Sequence, residues 1–326
     1  MREPIVVASG ADSGYARALS VMLRSLRERL DPARALELHV IDGGLRAGDR
    51  ERLEAGLDAR TTLRWHSPDR TRFAGLPLWG RMSPATYDKL QVVDLLPRGI
   101  ERALWLDADL LLLDDPAKIW DRDLGTHSTL AAQDAVVPFL AARFGLADAE
   151  ARRHPPCTKY FNAGVLLFAP GRWREREVVP RAFDYLRHHR DSVSFWDQEG
   201  LNAALIGDWL ELEARWNVNV DQATRHGRGR HATSPWHGEA SLLHYCGRQK
   251  PWRFPGRSAS FAIYYEVLDR TDAAGWRPEP SWTWRALDGY SRSRLRPLLL
   301  PLERLWMACE QRFTRRYLIP EKAPRP

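Results

Sequence analysis

The sequence predicts an α/β fold with a mostly parallel central sheet flanked by helices. Strand-like and helix-like segments alternate as β-α-β-α-β between Ile5 and Trp65, the order of a doubly wound parallel sheet. An unbroken apolar run, Ala103–Leu106, then reads as a buried strand that delivers two carboxylates, Asp107 and Asp109, at its carboxyl end. In open α/β sheets ligands gather at that edge.

The elements follow in order. Ile5–Ala8 is a short β-branched run, followed by the loop Ser9-Gly10-Ala11-Asp12-Ser13-Gly14-Tyr15 and by a helical pattern through about Leu30 (Leu19, Met22, Leu23, Leu26). Gly10 and Gly14 permit a close backbone approach to a nucleotide, although an ordinary βα turn reads the same way. Leu36–Ile41 is a second strand, Asp49–Leu57 a helix and Thr61–Trp65 a third strand. Ala85–Leu95 follows Pro84 as a helix carrying Lys89, which either is solvated or points into the crevice at the acidic strand end.

Beyond the acidic strand, Leu130–Gln133 is a strand ending in Asp134, and Lys159–Phe168 is an aromatic and β-branched strand with Asn162 and Gly164 set inside it. A polar amide there needs partners, because leaving it unpaired costs roughly 1–3 kcal/mol. Trp173–His188 reads as a helix, and Phe195–Asn202 opens another with Asp197 as its N-cap or in its first turn. Leu210–Trp216 is a strand, Asn217–His237 a basic, His-rich loop, and His244 closes the last apolar run before Gly247 and Lys250.

Asp-x-Asp is a weak motif, about one being expected by chance in a chain of this length. The chain holds two, and the second, Asp121-Arg122-Asp123, has no apolar strand before it and reads as a solvated turn. Two strand-end acids with one imidazole, His244, form a ligand set that can hold a divalent ion, whereas a buried histidine is more often only hydrogen-bonded.

At 326 residues and 44% hydrophobic content the chain can bury a sizeable core. The formal net charge of +7 suits an anionic partner, but no recognisable nucleic-acid module accompanies it. Three cysteines, far apart and odd in number, argue against a disulfide framework and for a reducing, cytoplasmic setting. No run approaches the roughly 20 apolar residues of a membrane span, so any membrane contact is expected to be peripheral, at the inner face. Leu295–Tyr317 carries Leu298, Leu302, Leu305, Trp306 and Phe313 at helical spacing among arginines, a basic amphipathic pattern that fits an anionic bilayer surface or the protein's own core. The expected organisation is a catalytic domain over residues 1–270 and an extension over 271–326.

Taken together, several blocks resemble the family 8 retaining glycosyltransferases, especially the bacterial lipopolysaccharide galactosyl- and glucosyltransferases. They are Ala11-Asp12-Ser13-Gly14-Tyr15, Leu106-Asp107-Ala108-Asp109, Trp120-Asp121-Arg122-Asp123-Leu124-Gly125, Tyr160–Leu167, Asp197-Gln198-x-x-Leu201-Asn202 and His244-Tyr245-Cys246-Gly247-x-x-Lys250-Pro251-Trp252, in that order along about three quarters of the chain. The resemblance implies a GT-A type nucleotide-sugar-binding fold, a UDP-hexose donor (galactose or glucose) and a Mn²⁺ ion, with Mg²⁺ as the alternative. It implies that Asp107, Asp109 and His244 hold the metal and that Asp12 and Tyr15 contact the uracil and ribose. Lys89, Asp134, Asn162 and Asp197 would hold the hexose, Gln198 would sit beside its anomeric carbon, and Gly247 and Lys250 would grip the phosphates. The acceptor would be a saccharide or a lipid-linked saccharide. The pattern departs at Gly14, where related proteins often carry a polar side chain, and at Gly10-Ala11, which reads as an insertion.

Two rivals remain at this stage. A haloacid-dehalogenase-like phosphatase also uses an apolar strand ending in Asp-x-Asp, but near the amino terminus and followed by Thr or Val, where Leu110 follows here. A basic peripheral membrane-binding protein without enzymatic activity rests on charge alone.

Overall fold

A computed structural model describes residues 3–78, 82–142, 144–220, 239–247, 250–256 and 258–280. Strands β1 (Ile5–Ala11), β2 (Leu36–Asp42), β3 (Thr61–His66), β4 (Ala103–Leu106), β6 (Thr129–Gln133), β7 (Phe161–Phe168) and β8 (Trp209–Leu212) form the main sheet, in the order β3-β2-β1-β4-β7-β6-β8. Strands β5 (Leu110–Leu112), β9 (Val218–Asn219) and β10 (Leu242–His244) form a small second sheet, in the order β5-β10-β9.

Six strands of the main sheet run the same way, and β7 runs against both its neighbours, β4 and β6. Fully buried Val7, Leu38, Leu104, Leu106, Leu166 and Leu167 show why the central strands read as continuous apolar runs: helices cover both faces. Burying each such side chain stabilises by roughly 1.5–3 kcal/mol. Apolar burial, rather than polar contact, therefore fixes β4, and a strand end fixed in this way can carry charge. A smaller core, containing Val21, Leu111, Leu243, Tyr245, Phe261 and Tyr264, joins the second sheet to the helices Ala16–Arg29 and Ala259–Leu268.

Several sequence expectations are corrected. β1 extends through Gly10 to Ala11, so Gly10 lies in a paired strand, and a Cβ there would meet its nearest neighbours at an unstrained 3.5 Å. The Asp49–Leu57 helix starts earlier and spans Ala47–Ala55. Pro84–Gln91 is 3₁₀ and only Val92–Leu95 is α-helical. The helix expected over Trp173–His188 is two, Pro170–Glu175 and Val178–His188, broken where Glu177 takes a left-handed φ of 50°. The strand expected through Trp216 stops at Leu212 and gives way to a 3₁₀ turn, Ala214–Trp216. Asp121 and Asp123 lie exposed, as expected of a solvated turn, with Asp121 paired to Arg34 at 2.9 Å. Among the described residues no helix is long and apolar enough to cross a membrane. The amphipathic stretch Leu295–Tyr317 and most of the loop Asn217–His237 lie outside the described residues.

Candidate active site

Asp107 and Asp109 lie where the chain leaves one sheet for the other. Asp107 follows β4, and its N–H donates to the Gly164 carbonyl at 2.9 Å; Asp109 precedes β5, and its carbonyl accepts from the Tyr245 N–H at 3.0 Å. The two acids are therefore on a turn and not on extended chain, so alternation along a strand does not explain their convergence. What brings His244 to them is the antiparallel register of β10 on β5, which sets His244 opposite Leu110. His244 Nε2 lies 3.2 Å from Asp109 Oδ1, and ligand atoms of Asp107, Asp109 and His244 all fall within 4.8 Å of one another. Two carboxylates and an imidazole at that spacing suit a hard divalent cation.

Each acid also carries an ammonium group. Lys250 Nζ is 2.7 Å from Asp109 Oδ2, and Lys89 Nζ is 3.0 Å from both Asp107 Oδ1 and Asp197 Oδ2 while donating to the Ala163 carbonyl at 2.8 Å. Burial opposes charge on both lysines, but the carboxylates they touch outweigh it and raise their pKa. Burial likewise works against the Asp109 carboxylate, yet Lys250 and His244 hold its pKa far below the usual range. Asp197 shifts the other way: burial raises it, Asp107 adds to that, and Lys89 and the Thr86 hydroxyl, 2.9 Å from Asp197 Oδ1, only partly offset the rise.

A second network adjoins the first. Asp134 Oδ2 accepts from Asn162 Nδ2 at 2.8 Å and from Gln198 Nε2 at 3.2 Å, and Gln198 Oε1 accepts from the Ala163 N–H at 3.1 Å. Asn162 is thus satisfied by side chains and by the Gly164 N–H, which donates to its Oδ1 at 2.9 Å. Asn217 ties the two networks together: its Nδ2 donates to Asn162 Oδ1 at 2.9 Å and its Oδ1 faces His244 Nδ1 at 2.8 Å, an arrangement that fixes the imidazole as a Nδ1 donor and leaves Nε2 toward the acids. Gly164 is required here, because a Cβ at that position would lie 2.3 Å from His244 Cε1. Asp197 and Gln198 stand in the first turn of the helix Trp196–Ala204, directly after Trp196, whose φ of 39° is strained for an aromatic residue.

The structure therefore brings together Asp107, Asp109, His244, Lys250, Lys89, Asp197, Asp134, Asn162 and Gln198. Asp12 and Tyr15 lie at one side. The Asp12 carboxylate accepts from the Gly14 N–H at 2.9 Å, and the Tyr15 ring meets Trp252 edge-on at 5.3 Å with Lys250 Nζ 5.8 Å from its centre. Gly247 turns the chain after β10 in the left-handed region, with φ of 63°. Thr86, Trp105 and Asn217 were not among the residues singled out from sequence. Trp105 Nε1 donates to Asp107 Oδ1 at 2.6 Å, and of the three only Asn217, a polar residue between Trp216 and Val218, carries a sequence signal that could have been noticed.

Comparison with known proteins shows which family the chain falls in. The chain is 29% identical over 281 residues to General stress protein A of Bacillus subtilis (strain 168), covering 81% of this chain and 93% of that one. It is 32% identical over 184 residues to the probable galacturonosyltransferase-like 3 of Arabidopsis thaliana, covering 52% of this chain and 50% of that one. Among solved structures it superposes on the galactosyltransferase LgtC, crystallised with donor and acceptor sugar analogues, with a TM-score of 0.69 at 26% identity over 86% of this chain and 99% of that one. The family model described as Glycosyl transferase family 8 matches residues 6–255. The chain is a glycosyltransferase and belongs to glycosyl transferase family 8.

Proposed function

We propose that the enzyme transfers a hexose, galactose or glucose, from a UDP-sugar to a saccharide acceptor with retention of configuration, in the synthesis of lipopolysaccharide or another cell-surface glycan. The observation that carries this reading is the convergence of Asp107, Asp109 and His244 beside the Asp134–Asn162–Gln198 network. In it Asp107, Asp109 and His244 hold Mn²⁺ or Mg²⁺ against the donor diphosphate, and Gly247 and Lys250 hold the phosphates. Asp12 and Tyr15 face the nucleoside, and Lys89, Asp134, Asn162 and Asp197 bind the hexose. At the sugar end the Lys89 ammonium is already paired with Asp107 and Asp197, and the carboxylates and amides beside it complement neutral hydroxyls, which supports a hexose over a sugar acid.

The bound ion would neutralise charge that grows on the departing phosphate. Lys250 adds a fixed positive charge at the same place, worth more in the transition state than in the ground state because the site is shielded from water. Gln198 is an amide held at both ends, by the Ala163 N–H and by Asp134, so it orients the sugar and is a poor nucleophile. Both Asp197 oxygens are likewise engaged, by Thr86 and Lys89. These contacts support a same-face route in which the leaving phosphate takes the proton of the acceptor hydroxyl, with no covalent sugar on the protein. Mass spectrometry that found a glycosylated Asp197 or Gln198 would overturn that route.

The purified enzyme is expected to release UDP from UDP-galactose or UDP-glucose when Mn²⁺ is added, to stop with EDTA and to resume on repletion. Failure of both donors at every metal tested would reject the reading. The extension over residues 271–326 is assigned to an anionic membrane surface at the inner face. Loss of co-sedimentation with anionic liposomes when residues 291–326 are removed is the expected result, and unchanged pelleting would remove the assignment.

A further inference from the structure

Two cations on the turn that follows β10 both approach the Tyr15 ring, but they take different partners. The Arg253 N–H donates to the Lys250 carbonyl at 2.9 Å, so both belong to one turn. Lys250 is buried and turns to Asp109, whereas Arg253 is exposed and holds its guanidinium carbon 5.3 Å from the centre of the Tyr15 ring. Lys250 thus serves the acidic, metal-binding end of the site, and Arg253 the end where Asp12 lies.

Arg253 and Asp12 both come close to Gly14. A Cβ on Gly14 would lie 3.1 Å from Asp12 Oδ1 and 3.5 Å from Arg253 Nη2, with no other atom close to it. The Gly14 backbone is outside the left-handed region, so its conformation does not demand glycine. A side chain there would press on the Asp12 carboxylate, and its absence leaves that carboxylate and the Arg253 guanidinium bordering one position close to the Tyr15 ring. Among the described residues Arg253 has no carboxylate partner. The cation–π contact with Tyr15 holds the guanidinium over the ring, and this leaves its N–H groups close to the Asp12 carboxylate without pairing with it.

We propose that Arg253 is a donor-binding residue that reads the uracil edge jointly with Asp12, the carboxylate accepting the ring N–H and the guanidinium donating to the neighbouring carbonyl. The proposal rests on the UDP-sugar reading above. The carbonyl that Arg253 reads is the one at position 4, where cytosine carries an amino group that would face the guanidinium N–H donors, while its unprotonated ring nitrogen would face the Asp12 lone pairs, so each partner selects uracil over cytosine.

Titration calorimetry with uridine, UDP and CDP in the presence of Mn²⁺ tests this on the full chain. One charge-assisted hydrogen bond corresponds to about a tenfold change in affinity. Arg253→Ala is expected to weaken uridine and UDP alike by about that factor, to narrow the preference for UDP over CDP, and to raise the donor KM while kcat holds. Arg253→Lys is expected to recover part of the loss. Weakened UDP with unchanged uridine would place the contact on the diphosphate and overturn the proposal, as would unchanged affinity for both. Those results leave the donor reading standing, whereas wild-type protein that binds no UDP removes that reading and this proposal together.

Discussion

Under the proposed function, Asp109→Asn is expected to lower Mn²⁺-dependent transfer from UDP-hexose by about 10³-fold or more while the protein stays folded. The size follows from the ion's share of transition-state stabilisation, several kcal/mol at about 1.4 kcal/mol per decade of rate. Asp109 is the proposed ligand chosen for this test because both of its oxygens are engaged at the site: Oδ1 faces His244 and Oδ2 faces Lys250. The amide keeps the shape and can still accept from one neighbour, so near-ultraviolet circular dichroism should match the wild type. Equal turnover in the variant, measured as UDP release, would dismiss the proposed metal site.

Lys89→Met is expected to cost about 3 kcal/mol of stability, read as a lowered urea midpoint at pH 8. Removing one partner of a buried ion pair typically costs about 3–5 kcal/mol because the other charge is left uncompensated. The lower end applies because the Asp107 side chain keeps 27% of its surface exposed. The sign with pH is defined. The Asp197 pKa is already raised by burial, and without Lys89 it rises further. A carboxyl whose folded pKa is raised is stabilising below its unfolded value near 3.9 and loses that contribution as pH rises through the folded pKa. The deficit of Lys89→Met should therefore shrink from pH 8 to pH 5; a deficit independent of pH would mean that Lys89 acts through packing alone.

The same residues show how far sequence carries. The strand β4 and its two acids were legible because a run buried on both faces must be apolar, and polarity resumes abruptly at its end. The direction of β7 was not legible, since an apolar run has the same composition whichever way it points. Lys89 taken alone resembled a solvated lysine, because its two partners, Asp107 and Asp197, lie 18 and 108 positions away and only the fold brings them to it. The break at Glu177 was hidden because Arg174-Glu175-Arg176-Glu177 is as good a helix surface as a linker. His244 could be nominated from its position after an apolar run, but its tautomer depends on Asn217, which lies on a separate strand approach.

The reversal of β7 decides which stretch of chain borders the candidate site. Because β6 ends and β7 begins at the same edge, Gln133 sitting opposite Phe161, the chain between them leaves and re-enters the sheet beside Asp134 and Asn162. Both feet of that excursion are held beside the candidate site, Asp134 at one and Asn162 at the other, while Leu140, Leu146 and Ala151 pack its middle into the main core. Its exposed apolar residues, Val136 and Phe139, are therefore the part of the span whose exchange leaves both the core and the sheet undisturbed.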